Sequence, residues 1–259
     1  MWRRDDLQLG CVRLEALRHS PREPGYPTLV FLHEGLGCSA MWRDFPQLLC
    51  ESTGCAGLVY SRQGYGDSDP CVLPRPLNYM HIEALQVLPA VLASADIGTY
   101  IVVGHSDGAS IGLIHAGSPG VENLKGLVSI APHAFCEELT VQSIRKARTA
   151  YMEGELATRL AKYHRENTEC AFWGWNEAWL DPRFRDWNIT EYLPRITAPQ
   201  LVVHGGDDEY GTLAQVDTIV AQSGGEVQIE ILDQCGHNPC RERTASCLGL
   251  MSDFVHFLR

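Results

Sequence analysis

Gly104-His105-Ser106-Asp107-Gly108 sets one serine between two glycines. A serine hydroxyl attacks a carbonyl only when a base takes its proton. The pattern Gly-x-Ser-x-Gly carries that chemistry where a strand runs into it and a helix runs out of it. Tyr100-Ile101-Val102-Val103 reads as the strand, and Ala109 to Ala116, small and apolar, as the helix. The sharp turn between them strains the serine backbone and lifts Oγ above the carboxyl end of a sheet. Helix N–H groups behind it favour developing negative charge. The base is expected late in the chain. Asp233-Gln234-Cys235-Gly236-His237-Asn238-Pro239 follows an apolar run, and that glycine-proline loop singles out His237 among ten histidines. A base needs an acid to hold its tautomer. His204-Gly205-Gly206-Asp207-Asp208-Glu209 offers neighbouring carboxylates at a strand end, and spacing alone does not choose among them.

These residues must be positioned by a scaffold. Thr28–Leu32, Gly57–Tyr60, Tyr100–Val103, Gly126–Ile130, Leu201–His204 and Val227–Leu232 are short apolar runs separated by helical segments. That is the signature of buried parallel strands. Leu7 to Leu17 alternates loosely around one glycine and reads as antiparallel strand material. Helices are predicted over His81 to Leu92, where Pro89 bends or shortens the helix, and over Thr244 to Leu258. The alternation implies an α/β fold with helices on both faces of a mostly parallel sheet.

Between Ile130 and Gln200 no strand pattern occurs. This stretch is helical in composition and holds Trp173, Trp175, Trp179 and Trp187, four of the six tryptophans. Residues 134–188 are read as a helical cap inserted into a core domain formed by 1–133 and 189–259. An apolar underside on such a cap shields an acyl or aromatic group from water, which makes Trp173 and Trp175 candidates for the substrate pocket.

The order Ser, Asp, His completes a pattern that resembles the α/β-hydrolase superfamily, in its branch of small capped esterases and carbon–carbon bond hydrolases. The resemblance covers nearly the whole chain. His33-Glu34-Gly35-Leu36-Gly37 is similar to the oxyanion loop. Ser61-Arg62-Gln63-Gly64-Tyr65-Gly66-Asp67-Ser68 is similar to the family's Asp-x-Arg-Gly-x-Gly-x-Ser loop, and Ala198-Pro199-Gln200 to Gly205 to the strand before the acid. The resemblance places the acid three residues after Gly205, at Asp208, with Asp207 in reserve. It implies an oxyanion hole built from the backbone N–H groups of Gly35 and Asp107.

Three positions depart from the family pattern. Glu34 and Gln63 stand where glycine is usual, and Ala109 replaces a common second glycine after the turn. Glu34 reads either as a salt-bridged structural residue or as a second carboxylate that tunes His237 and lines the pocket. His133, just after the fourth run of the series, reads as a substrate contact or as part of the cap hinge.

The expected activity is hydrolysis of a carboxylic ester or thioester through an acyl-enzyme on Ser106, with no cofactor and no metal. One alternative is a carbon–carbon bond hydrolase of meta-cleavage-product type, which would need a carboxylate-binding pocket supplied by Arg62, Arg145 or Arg148. Another is a slow small-molecule receptor on the same fold. Dehalogenase and epoxide hydrolase readings fit less well, because those relatives carry aspartate where this chain has Ser106.

The 32 acidic residues outnumber the 21 basic ones, a net charge of −11, and no Lys/Arg-rich run occurs. A nucleic-acid binder needs the opposite field. Neither nucleic acid nor membrane is expected as a partner. The expected partner is a small-molecule ester or related acyl substrate. No apolar run is long enough to span a membrane, and Met1-Trp2-Arg3-Arg4-Asp5-Asp6-Leu7 lacks a signal-peptide core. A cytoplasmic location is the expectation. The ten cysteines are scattered without Cys-x-x-Cys or zinc spacing. They read as small buried hydrophobes, with Cys235 and Cys240 close enough to His237 to make activity thiol-sensitive.

Overall fold

The computed structural model describes residues 2–21 and 25–258. Apolar runs of β-branched and aromatic residues become strands, and their order decides where the site can form. The strands are β1 (Arg3–Leu9), β2 (Val12–His19), β3 (Thr28–Leu32), β4 (Ala56–Tyr60), β5 (Tyr100–His105), β6 (Leu124–Ile130), β7 (Gln200–Gly205) and β8 (Val227–Leu232). They form one sheet in the order β1-β2-β4-β3-β5-β6-β7-β8. Pairing is antiparallel for β1–β2 and β2–β4 and parallel from β4 to β8. Gly10, at φ 62°, turns β1 into β2 and sets Leu7 opposite Leu14.

The α-helices are α1 (Phe45–Thr53), α2 (Tyr79–Ile82), α3 (Leu88–Ser94), α4 (Asp107–Ala116), α5 (Glu138–Glu153), α6 (Leu156–His164), α7 (Thr168–Leu180), α8 (Leu213–Gln222), α9 (Pro239–Glu242) and α10 (Thr244–Phe257). Strand residues alternate between two cores. Val30 and Val102 share one core with Ile111 of α4, whereas Leu29, Phe31, Ile101 and Val103 share the other with Leu49 of α1 and Phe254 of α10. That alternation is the period of two expected of a sheet covered on both faces.

Two expectations are refined. Pro89 does not shorten its helix. A π turn over Glu83–Val87 joins α2 to α3, and the wider turn accommodates the N–H that proline lacks and the ring it carries. β8 is parallel as expected but lies at the sheet edge, so Ile229 and Ile231 remain 42% and 38% exposed.

The chain leaves β3 for β4 on one side and then crosses to β5 on the other. Carboxyl ends of parallel strands at such a reversal form the crevice where ligands bind. The loop after β3 and the turn after β5 both open there. Between β6 and β7 the chain rises into α5, α6 and α7, and the two ends of this excursion are drawn together at the isolated bridge Phe135↔Asn188.

Candidate active site

β5 ends at His105 and α4 begins at Asp107, so Ser106 alone must turn the chain. Its backbone lies at φ 52° and ψ −117°, a region that costs a residue with a side chain about 1–3 kcal/mol. Two glycines make the turn possible. A Cβ on Gly108 would collide with the Leu32 carbonyl, and one on Gly104 with the Gly108 carbonyl. The Asp107 N–H, in the first turn of α4, has no acceptor within the helix.

The loops after β7 and β8 are fastened to each other. Gly206 N–H donates to Leu232 O at 2.8 Å, and Asp207 N–H to Cys235 O at 2.9 Å. The Glu242 carboxylate accepts from Gly236 N–H at 2.8 Å and Asn238 N–H at 3.2 Å. Glu209 accepts from His237 N–H at 3.1 Å. His237 is thus held on a short loop above Ser106. Its Nδ1 stands 2.9 and 2.8 Å from the two Asp208 oxygens, and its Nε2 stands 2.8 Å from Ser106 Oγ. The carboxylate requires a proton on Nδ1, which leaves Nε2 free to accept the serine proton. The acid in this line is Asp208, whereas Asp207 is exposed.

Burial alone would raise the Asp208 carboxyl. The hydrogen bond and charge of His237, with the Tyr210 N–H, overcome that and hold it at about 2.

The loop after β3 is anchored from below. His33 Nδ1 donates to Glu34 O at 2.8 Å, and its Nε2 accepts from Arg62 N–H at 3.1 Å. The buried Arg62 guanidinium donates to His33 O at 2.8 Å and Glu34 O at 3.1 Å. Gly37 N–H closes the turn on the same Glu34 O at 3.1 Å. With glutamate in place of glycine, the loop backbone is still pinned by a neutral histidine and a charged arginine. The Tyr65 ring lies 5.1 Å from the Arg62 guanidinium carbon, and Glu83, on the π turn, and Asp107 act on its charge from beyond ion-pair distance.

Glu34 itself turns toward His105, with Oε2 3.5 Å from Nδ1. Burial opposes both charges, but each holds the other ionised: the Glu34 carboxyl lies below its ordinary value and the His105 imidazole above. His105 Nε2 stands 2.7 Å from the His237 carbonyl.

Ser106 and His237 open into a cavity of about 110 Å³ whose walls include Leu36, Ile144, Trp175, Trp179 and Tyr210. Glu34, Gly35, Asp107 and His133 also line it. His133 stacks its ring edge on Trp179 and lies 5.6 Å from the His237 ring. Burial, then the charge of His237, pushes it down to about 3, so it is a neutral wall. Trp175 packs its indole edge directly on Gly35, where a Cβ would have no room.

Trp173 does not belong to this group. It faces away on α7, donating to Glu169 at 2.6 Å beneath the Arg148 guanidinium. Residues two apart on a helix do not share a face, so Trp173 and Trp175 cannot both face the cavity.

The sequence reading missed Tyr79 and Trp179. Tyr79 OH donates to Asp107 Oδ2, and Trp179 Nε1 reaches Tyr79 OH at 3.1 Å and Asp107 Oδ1 at 3.3 Å. The residue after Ser106 is thereby tied to α7, one of the helices inserted between β6 and β7. An aspartate at that position, buried beneath a tryptophan-rich segment, is the sequence signal that pointed there. Cys235 and Cys240 are buried, and burial raises the Cys235 thiol to about 11. Seven of the ten cysteines are buried.

Residues 29–246 match the alpha/beta hydrolase family. A 116-residue stretch is 30% identical to 2-succinyl-6-hydroxy-2,4-cyclohexadiene-1-carboxylate synthase of Salmonella paratyphi C (strain RKS4594). It covers 45% of this chain and 42% of that protein, so the chain spans less than half the length of the curated relative it matches. Among solved structures, proline iminopeptidase of Mycobacterium smegmatis superposes with a TM-score of 0.77 at 19% identity, over 99% of this chain and 98% of that one. The enol-lactonase of Burkholderia xenovorans LB400 superposes with a TM-score of 0.74 at 19% identity, over 97% and 100%. At these identities the superpositions speak for the fold. Among the described residues, no helix is long and apolar enough to cross a membrane. Strand order, the turn at Ser106 and the extent of the match lead to one statement: the chain belongs to the α/β hydrolase family.

Proposed function

We propose that this protein is a serine hydrolase that cleaves carboxylic esters or thioesters of small acyl groups. The observation that carries the reading is the unbroken hydrogen-bonded line from Asp208 through His237 to Ser106 Oγ, opening into an apolar cavity. Ser106 Oγ attacks the carbonyl carbon as its proton passes to His237 Nε2. The carbonyl oxygen becomes an oxyanion facing the N–H groups of Gly35 and Asp107, each such donor contributing about 3 kcal/mol. His237 then hands the proton to the leaving alcohol or thiol. Water, deprotonated by the same nitrogen, releases the acid and restores Ser106.

The cavity argues for acyl size. At about 110 Å³ it is smaller than the roughly 150 Å³ void that accepts a benzene ring. Its walls carry no lysine or arginine among the described residues. The arginines that a carbon–carbon bond hydrolase would use are engaged elsewhere. Arg62 is buried under the oxyanion loop, Arg145 pairs with Glu138 and Arg148 covers Trp173. The carboxylate-bearing compound in the name of the Salmonella relative therefore has no matching cation here, and a neutral short-chain ester fits better.

The test is turnover of p-nitrophenyl acetate, butyrate, octanoate and laurate, with a thioester beside them, by wild type and Ser106→Ala. Preference for acetate or butyrate, with a loss of about a thousandfold or more in the variant, supports the reading. Equal activity in both proteins would remove Ser106 as nucleophile. Binding of these esters without turnover by wild type would favour the receptor alternative.

A further inference from the structure

Cys71 and Cys170 lie on opposite sides of the junction between body and cap. Cys71 is in the loop beyond β4, and Cys170 is in the first turn of α7. Their Sγ atoms are 2.7 Å apart, well inside the contact distance of two sulfurs. Cys71 N–H points at Cys170 Sγ from 3.4 Å, and Cys170 Sγ lies 3.4 Å from Cys71 O. Both are free thiols. The Arg75 guanidinium converges with both sulfurs over Gly64, where a Cβ would meet Arg75 Nη2 and each Sγ at 2.7 Å. Cys71 and Arg75 also line a cavity of about 460 Å³. A small oxidant entering that cavity meets Cys71 and Arg75 at its wall.

We propose that Cys71 and Cys170 form an oxidisable pair, a modification site at which a hydroperoxide joins the body to the cap by a disulfide. Cys71, at the cavity wall, meets the peroxide, and the Arg75 guanidinium beside both sulfurs favours a thiolate there. The thiolate attacks the terminal peroxide oxygen, giving a sulfenic acid as the O–O bond breaks and water or an alcohol leaves. The Cys170 sulfur, 2.7 Å away, then attacks the Cys71 sulfur, the S–O bond breaks and a second oxygen leaves as water. Two thiols lose two electrons and two protons, and one peroxide is reduced.

The link would close a loop between residues 99 apart. Long loops lose the most unfolded-state entropy when they are closed. α7 also carries Trp175 and Trp179, so the same bond would hold the roof of the catalytic cavity against the body. None of this depends on the reaction assigned to Ser106.

The experiment treats the full chain with hydrogen peroxide at one to a few equivalents, then digests it without reductant for mass spectrometry. The expected result is a cross-linked peptide pair containing Cys71 and Cys170, two hydrogens lighter than the free peptides and separated again by dithiothreitol. Treated wild type should melt about 5 °C or more above untreated protein. Cys71→Ser and Cys170→Ser should show no rise, whereas Cys240→Ser should keep it. The wild-type digest needs no variant to fold. A digest in which the link joins other cysteines instead, in which either member of the pair is over-oxidised without a cross-link, or in which the link forms and Tm stays the same or falls would overturn the proposal.

Discussion

Asp208 and Glu34 each face a histidine, and the two pairs stand side by side, with the His105 and His237 rings 5.4 Å apart. In the first pair both carboxylate oxygens reach Nδ1, and the far nitrogen meets the Ser106 hydroxyl. In the second pair the contact is 3.5 Å, and the far nitrogen meets the His237 carbonyl. A hydroxyl can surrender a proton and a carbonyl has none to give. The same two side chains are therefore placed to transfer protons in one pair and to hold a loop still in the other. What the ring's far nitrogen meets decides the role.

The sharpest way to break the comparison is to remove each charge in turn. Asp208→Asn leaves the shape but favours the wrong His237 tautomer, and kcat on a short ester should fall about ten-thousandfold. Glu34→Gln should cost roughly tenfold, about 1.4 kcal/mol of barrier. Steady-state kinetics on the two variants would test this, and equal losses would mean that Glu34 acts on the proton as Asp208 does.

Cavity shape ranks next. Trp175→Ala opens the wall at Gly35, and kcat/KM for octanoate relative to acetate should rise about tenfold. An unchanged ratio would remove Trp175 as a limit on acyl length.

Stability against pH separates the pairs more finely. Asp208 is held below its ordinary 3.8, at about 2. Its contribution is therefore present above 3.8 and lost as pH falls through about 2. Glu34 is also lowered, from 4.5, but His105 is raised above 6.5. The stabilisation from Glu34 is present above 4.5, and that from His105 is present below 6.5 and lost as pH rises through its raised value. The Tm gap between wild type and Glu34→Gln should peak between those two values and shrink toward pH 9. A gap that does not fall on the alkaline side would show that the pair is not ionic. The smallest effect is expected from Trp173→Ala, within about twofold of wild-type kcat/KM, a cost under about 0.5 kcal/mol.

Much of this arrangement was legible beforehand, and the reason is local. Ser106, Asp208 and His237 each sit in a turn directly after a strand, where glycines and an apolar run mark the position along the chain. The strands themselves were readable because continuous apolar runs have few other uses. The cap was different. Trp173 and Trp175 are equally aromatic with a single residue between them, and only the rotation of α7 against the sheet decides which one faces Ser106. Tyr79 carries no local mark at all. It meets Asp107 only through the packing of α2 against α4. Glu34 was visible as an oddity, but its partner His105 is far away in sequence and meets it through packing alone.

The chain between β6 and β7 runs through the entire cap. Ser106 precedes that excursion, and Asp208 and His237 follow it. Neither half of the polypeptide holds a hydroxyl together with the imidazole that would activate it. The halves meet along the β6–β7 ladder, with four registered pairs from Leu127↔Gln200 to Ile130↔Val203, and through helix packing such as α1 on α10 and α5 on α7. A proteolytic nick at the exposed turn Gly154-Glu155, between α5 and α6, would therefore yield two fragments that complement one another across a continuous sheet. By the same token, either fragment made alone would be chemically inert.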